Sequence, residues 1–251
     1  NHVAYGGRCV DLATDNDNCG IGGTVCSATT TCLGGKCALP APMPTGRSQL
    51  SAALGPDGQI YAIGGHVGTT VSTVEAYDPR TNTWRTANPL PQPLGGAGAV
   101  AAMDGKIHVI VGTRHHAYDV PSQTWTDRAP MPTSRSFVGA ALAKDGRIVV
   151  MGGGGTVPAM TAAEAYNPAT NTWAALATML HPRNAFGGAV GLDGRIYAIG
   201  GNFSGAVLAV DALNPTTGTW ATVKSLLFAI AGGAIAADKA GKIYVVGACN
   251  C

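Results

Sequence analysis

One unit of sequence, present four times in full and a fifth time in part, constrains this chain more than any other feature. Its first copy is Gly58 to Trp84, GQIYAIGGHVGTTVSTVEAYDPRTNTW. An apolar run is followed by a Gly pair, a variable loop, a second strand ending at Tyr77, a turn and a Trp. Asp57-Gly58, Asp104-Gly105, Asp145-Gly146 and Asp193-Gly194, then Ala240-Gly241, hold the same place in successive copies, 41 to 48 residues apart. Seven residues beyond each turn glycine stand Gly65, Gly112, Gly153 and Gly201, with Ala248 in the last copy. Tyr77, Tyr118, Tyr166 and Leu213 each precede a Trp by seven residues: Trp84, Trp125, Trp173 and Trp220. A fixed period with fixed internal spacing is the signature of a repeat architecture.

Each copy reads as four strands. A two-residue Asp-Gly turn between apolar runs is a strong hairpin signal. The runs IYAI, IHVI, IVVM, IYAI and IYVV are apolar on both faces, which suits strands lying between two layers. The first unit predicts strand a near Gln49–Leu54, b near Gln59–Ile63, c near Val74–Tyr77 and d near Trp84–Thr86, with the Trp expected to be mostly buried between sheets. Such sheets packed radially make a propeller. With 36 glycines and 12% charged residues in 251, tight turns are favoured over long helices.

The series IY-x-x-GG, Y-D/N-P, N-T-W and M-P-x-x-R resembles the kelch repeat over residues 40–251. The resemblance implies an all-β, kelch-type β-propeller, most simply of five blades, with four full repeats and strands a and b of a fifth. Unit two departs from the pattern: Val111-Gly112 replaces Gly-Gly, and its b–c loop is cut short.

Residues 1–39 read as a separate cysteine-rich segment. Cys9, Cys19, Cys26, Cys32 and Cys37 lie there, and Cys249 and Cys251 close the chain. Their spacings contain no C-x-x-C, so disulfides in an oxidising compartment are a better reading than zinc. Seven is odd, which leaves at least one thiol free or bonded elsewhere. The order CVDLATDNDNCGIGGTVCSATTTCLGGKC resembles the Stig1-like motif of secreted proteins, with Gly22 where that motif has a Cys. Asp15 and Asp17 read as turn formers rather than a calcium loop. The chain starts at Asn1 without Met, as a mature secreted form would.

The fifth unit stops after strand b. Its missing strands are expected from a hairpin of Ser27–Thr31 and Lys36–Leu39, locked by Cys249 or Cys251 bonding to Cys32, Cys37 or a neighbour. The alternative is completion by a second molecule, which would make the protein a structural subunit of a surface layer or fibre.

Kelch resemblance implies partner binding on the face carrying the d–a and b–c loops. Carried over by position, the candidate ligand-binding residues are Arg47, Ser48, His66, Arg135, Ser136, Arg183, Asn184 and Asn202. Three arginines at equivalent positions are expected to ring the channel mouth, where guanidinium forks suit carboxylates. The competing expectation is that they tie down neighbouring loops. Leu94-Gly95 stands there in unit two and Ala229-Ile230 in unit five. His66 with His115 or His116 is a weak metal candidate, because adjacent strand residues face opposite ways, and no metal is assigned. There is no G-x-S-x-G, phosphate loop or H-E-x-x-H, so no catalytic residue or cofactor is assigned. A net charge of +2 gives no reason to expect nucleic acid, and no apolar run is long enough to span a membrane. The expected function is extracellular recognition of a protein, peptide or glycan, ahead of the structural role and of an enzyme.

Overall fold

The computed structural model describes residues 2–5, 8–11, 14–16, 19, 25–26, 31–33, 35–154, 161–238 and 240–247. Four short strands come first: β1 (His2–Tyr5) pairs β2 (Arg8–Asp11), and β3 (Thr31–Leu33) pairs β4 (Lys36–Ala38). Four four-stranded antiparallel sheets follow. Blade one is β5 (Ser51–Leu54), β6 (Ile60–Ile63), β7 (Val74–Asp78) and β8 (Thr83–Ala87). Blade two is β9 (Gly98–Ala101), β10 (Lys106–Val111), β11 (Arg114–Asp119) and β12 (Thr124–Asp127). Blade three is β13 (Gly139–Leu142), β14 (Ile148–Met151), β15 (Ala163–Asn167) and β16 (Thr172–Ala175). Blade four is β17 (Gly187–Val190), β18 (Ile196–Ile199), β19 (Val210–Asn214) and β20 (Thr219–Val223). Among the described residues a fifth sheet holds β21 (Ala234–Ala237) and β22 (Ile243–Val246) alone. Among the described residues there is no α-helix.

Local chemistry sets these hairpins. At each Asp-Gly turn of blades one to four the Asp Oδ1 accepts the amide two residues on, at Gln59, Lys106, Arg147 and Arg195. The glycine takes the left-handed backbone that a side chain resists, for example φ 79° at Gly58. Gly64 has a second reason to be glycine: a Cβ there would lie 2.4 Å from the Leu94 carbonyl oxygen.

The cores sit between blades. Tyr61, Ile63, Val74 and Ala76 of blade one pack on Ile107, Val109 and Tyr118 of blade two. Val100 and Ile110 meet Val138, Ile148, Val150 and Tyr166 of blade three. Val149, Met151, Ala163 and Ala165 meet Phe186, Ile196, Ala198 and Leu213 of blade four. By contrast Tyr244 and Val246 of β22 are exposed, as are Leu227 and Phe228 before β21.

Two further joints link neighbouring blades. Near the axis, the residue two positions before strand a is left-handed in every unit: Gln49, Gly96, Phe137, Ala185 and Gly232. From the second unit on, each donates its amide to its counterpart in the preceding blade, Gly96 to Gln49, Phe137 to Gly96, Ala185 to Phe137 and Gly232 to Ala185, at 2.6–3.0 Å. At the rim the tryptophans are half-buried rather than enclosed. Trp84, Trp125 and Trp173 lean on Tyr77, Tyr118 and Tyr166 of their own blades, with centroids 4.7–5.2 Å apart. Each indole Nε1 donates to a linker carbonyl that precedes its blade, at Ala41, Asn88, Ala129 and, for Trp220, Ala177.

In the N-terminal segment Cys19 bonds to Cys32 and Cys26 to Cys37. The expected closing hairpin of Ser27–Thr31 and Lys36–Leu39 is shifted: its first strand is Thr31–Leu33, and residues 27–30 lie outside the described residues. β3 and β4 form a sheet of their own that does not extend β21–β22. Cys32 and Cys37 are both occupied, so neither is open to a bridge from the C-terminal end. Cys249 and Cys251 lie outside the described residues, and only the backbone of Cys9 is described.

Candidate functional site

The three arginines do not ring the mouth. Each lies just before strand a and turns into its own blade, where its side chain is fully buried against an acid on strand c. Arg47 Nη1 lies 2.9 Å from Glu75 Oε2, Arg135 pairs with Glu164, and Arg183 Nη2 lies 2.9 Å from Asp211 Oδ2. Arg183 Nη1 also donates to the carbonyls of Ala198, Gly200 and Ala209. The residue two before the arginine holds the same acid, through Thr45, Thr133 or His181. Burying a charge is costly unless it is paired and hydrogen-bonded. All three arginines are paired, and those of blades three and four are hydrogen-bonded to their acids as well. Arg47 Nε and Nη1 and Glu75 Oε2 lack hydrogen-bond partners among the described residues. All three guanidinium groups are buried away from any ligand. The expectation of an arginine-lined mouth is therefore corrected.

The other candidates do lie on the loop face. Ser48 and Asn202 are exposed, and His66, Ser136 and Asn184 are half-buried. Backbone bridges tie Ser48 to His66, Ser136 to Gly154 and Asn184 to Asn202. Each bridge fastens the b–c loop of a blade to the linker entering it.

Blade two breaks the scheme twice. Leu94 stands in the arginine position and His116 in the acid position, with His116 Nδ1 2.7 Å from Asp127 Oδ1. Its b–c connection is Gly112-Thr113 alone, against residues 64–73 in blade one. The missing loop leaves an open notch of about 380 Å³ on the loop face. Thr70, Gly95, Thr113, Arg114, Ser134 and Ser136 contribute to its wall, from blades one, two and three. Arg114 is exposed, and no hydrogen bond or ion pair engages its guanidinium among the described residues. A second cavity, about 300 Å³, lies at the axis between the left-handed residues and is walled by Leu50, Phe137, Val138 and Phe186.

The histidines do not converge on a metal. His66 is on the loop face. His115 and His116 point to opposite faces of β11 and both are buried. His115 Nε2 lies 2.8 Å from His108 Nδ1, which makes an Asp104–His108–His115 chain ending 3.2 Å from the Ala129 carbonyl. Burial pushes His108 below the usual histidine range and His115 down to about 3. Among the described residues, the three metal-type side chains that do cluster are Cys19, Cys26 and Cys37, whose sulfurs lie within 4.8 Å of one another because the two disulfides are neighbours. Sequence reading missed Arg114, although the shortened loop of unit two, visible in the repeat spacing, was the signal for it.

Residues 50–91 and 139–180 match the model of the Kelch motif, and residues 1–43 match that of the stigma-specific STIG1-like protein family. Human Kelch-like protein 35 is 48% identical over 58 residues, which are 23% of this chain and 10% of that protein. Human Kelch-like protein 33 is 40% identical over 70 residues, 28% of this chain and 13% of that protein. Mouse Kelch-like protein 35 is 45% identical over 56 residues, 22% and 10% respectively. The chain thus spans 10 to 13% of the length of the curated relatives it matches. Matched motifs and repeated four-stranded blades together make the chain a kelch-repeat protein carrying a Stig1-like cysteine-rich segment at its N-terminus.

Proposed function

We propose that this chain is an extracellular recognition module that binds a protein or peptide partner across the face carrying the d–a linkers and b–c loops. The notch in blade two carries the reading: it is an open, polar concavity on that face, beside an unengaged guanidinium. Ser48, His66, Ser136, Asn184 and Asn202 form the surrounding contact surface. Two disulfides in the N-terminal segment support an oxidising location. Panning a displayed peptide library, then mapping the selected binders by hydrogen exchange, tests the assignment. Slower exchange at residues 66–73, 112–114 and 202–206 is the expected result. Slower exchange at the opposite face, around Gly58, Gly105, Gly146 and Gly194, would overturn it.

A second reading, self-association through the fifth sheet, is favoured by Leu227, Phe228, Tyr244 and Val246, which are 45–85% exposed. Analytical ultracentrifugation at about 100 µM, well above a micromolar Kd, separates the two. A monomer at that concentration removes the second reading.

A further inference from the structure

The other three blades show what the notch lacks. In blade one Ser48 and His66 exchange both backbone hydrogen bonds, at 3.1 and 2.8 Å. In blade three Ser136 and Gly154 do the same at 2.9 and 2.7 Å, and in blade four Asn184 and Asn202 at 3.0 and 2.8 Å. The counterpart of Ser48, Ser136 and Asn184 in blade two is Gly95. Its b–c partner would be Thr113, but the two-residue turn from β10 to β11 carries Thr113 elsewhere, and the Thr113 carbonyl accepts the Met131 amide instead. So neither the N–H nor the C=O of Gly95 has a backbone partner among the described residues. Gly95 is half-buried and lines the open notch, so its donor and acceptor are left to water or to a strand entering from outside.

Electrostatics add direction. Of the ten residues that line the notch, Arg114 alone is charged. Elsewhere the array balances its inward arginines with Glu75, Glu164 and Asp211, but among the described residues no acid pairs with Arg114. Thr70, Thr113, Ser134 and Ser136 line the same notch and give it a polar wall.

We infer that the notch receives an extended peptide segment of a partner protein that carries an acidic side chain. One residue of the segment pairs with the N–H and C=O of Gly95, as the b–c loops of blades one, three and four pair within their own blades. An Asp or Glu close to that residue meets the Arg114 guanidinium in a charge-assisted hydrogen bond. The partner strand thus takes the place of the missing loop, a one-residue form of strand addition. The inference rests on the loop-face reading above and commits it to one blade and one ligand chemistry.

An array of N-acetylated, C-amidated heptapeptides, each with Glu, Gln or Lys at its centre, tests it against three proteins. These are the unaltered chain, Arg114→Glu, and a variant with the blade-one loop, residues 66–73, inserted between Gly112 and Thr113. The unaltered chain should prefer Glu over Gln peptides by about tenfold, the equivalent of about 1.4 kcal/mol. Arg114→Glu should reverse the preference toward Lys. The loop insertion should abolish binding while circular dichroism and Tm stay close to those of the unaltered chain. N-methylation of a single peptide nitrogen, which removes the donor to Gly95, should cost about tenfold. Equal binding of Glu and Gln peptides, or undiminished binding by the loop insertion, would overturn the notch assignment; the wider reading would stand if the bound peptides still slow exchange on the loop face. Binders that protect only the opposite face would remove both.

Discussion

His108 and His115 sit in a chain whose two ends, the Asp104 carboxylate and the Ala129 carbonyl, can only accept. A neutral pair of rings carries two N–H groups for three contacts, so one contact goes without a hydrogen. The long contact to Ala129, whose oxygen already takes the Trp173 indole N–H, is the least costly one to leave. Arg128 and Lys106 add positive charge nearby, and Tyr166 closes over His115 in an edge-on contact at 4.3 Å. A third proton is therefore resisted in the fold but accepted freely in the unfolded chain. Both folded pKa values are depressed, so this contribution to stability is complete above the unfolded value of about 6.5. It falls as pH drops from there toward about 3. Urea unfolding between pH 7 and 4.5 should show stability falling by up to about 1.4 kcal/mol per pH unit per group. His115→Phe should flatten that dependence, and an unchanged slope would contradict the account. The sequence showed an adjacent His pair on a strand and opposite facing of its members; it did not show that His108, one strand away, completes a chain with one of them.

At the scale of the element, the clamp between the strand-a entry and strand c is the recurring device. Its legibility was partial for a specific reason. The arginines were conspicuous because Met-Pro-x-x-Arg holds two of them and Met-Leu-His-Pro-Arg the third, whereas their partners sit in apolar strands and read as isolated polar residues. Glu75, Glu164 and Asp211 each fall two residues before Tyr77, Tyr166 and Leu213, and the one complete unit without the arginine has His116 there. That correlation lay within the sequence and would have placed the arginines inside. Arg135→Met leaves Glu164 buried without its cation, and denaturant unfolding should show a loss of about 3–5 kcal/mol. The double change Arg135→Leu with Glu164→His copies blade two and should cost less than the single change. A double variant as unstable as the sum of its parts would show that the clamp is not a unit. Trp84→Phe is expected to cost about 1 kcal/mol through the lost bond to Ala41, a smaller effect than an enclosed indole would give; a loss of about 3–5 kcal/mol would point to full burial instead.

Across the whole molecule, strand order and the limits of the blades were legible because each unit repeats its turn, its Gly pair and its Trp. Ring closure was not, because it depends on contacts between distant parts of the chain that periodicity does not encode. Four blades share cores with their neighbours, while β21 and β22 keep exposed side chains and, among the described residues, an unpaired edge. Amides of β22 should therefore exchange far faster than those of β10 and β14, which are buried on both faces. Equal protection would mean that another segment or another copy completes the fifth sheet. Peptide mapping without reduction should recover Cys19–Cys32 and Cys26–Cys37; a bond from either pair to Cys249 or Cys251 would restore the closing bridge.

The joints between blades lie at two radii, a backbone hydrogen bond at the axis and an indole at the rim. A fan pinned only at its pivot opens freely; one pinned at the outer edge as well does not. Blades one, two and three, whose linkers and turns wall the notch, are fastened in this second way. The receptor is consequently shaped before its guest arrives, so the conformational freedom lost on association is the guest's and little of it the blades'.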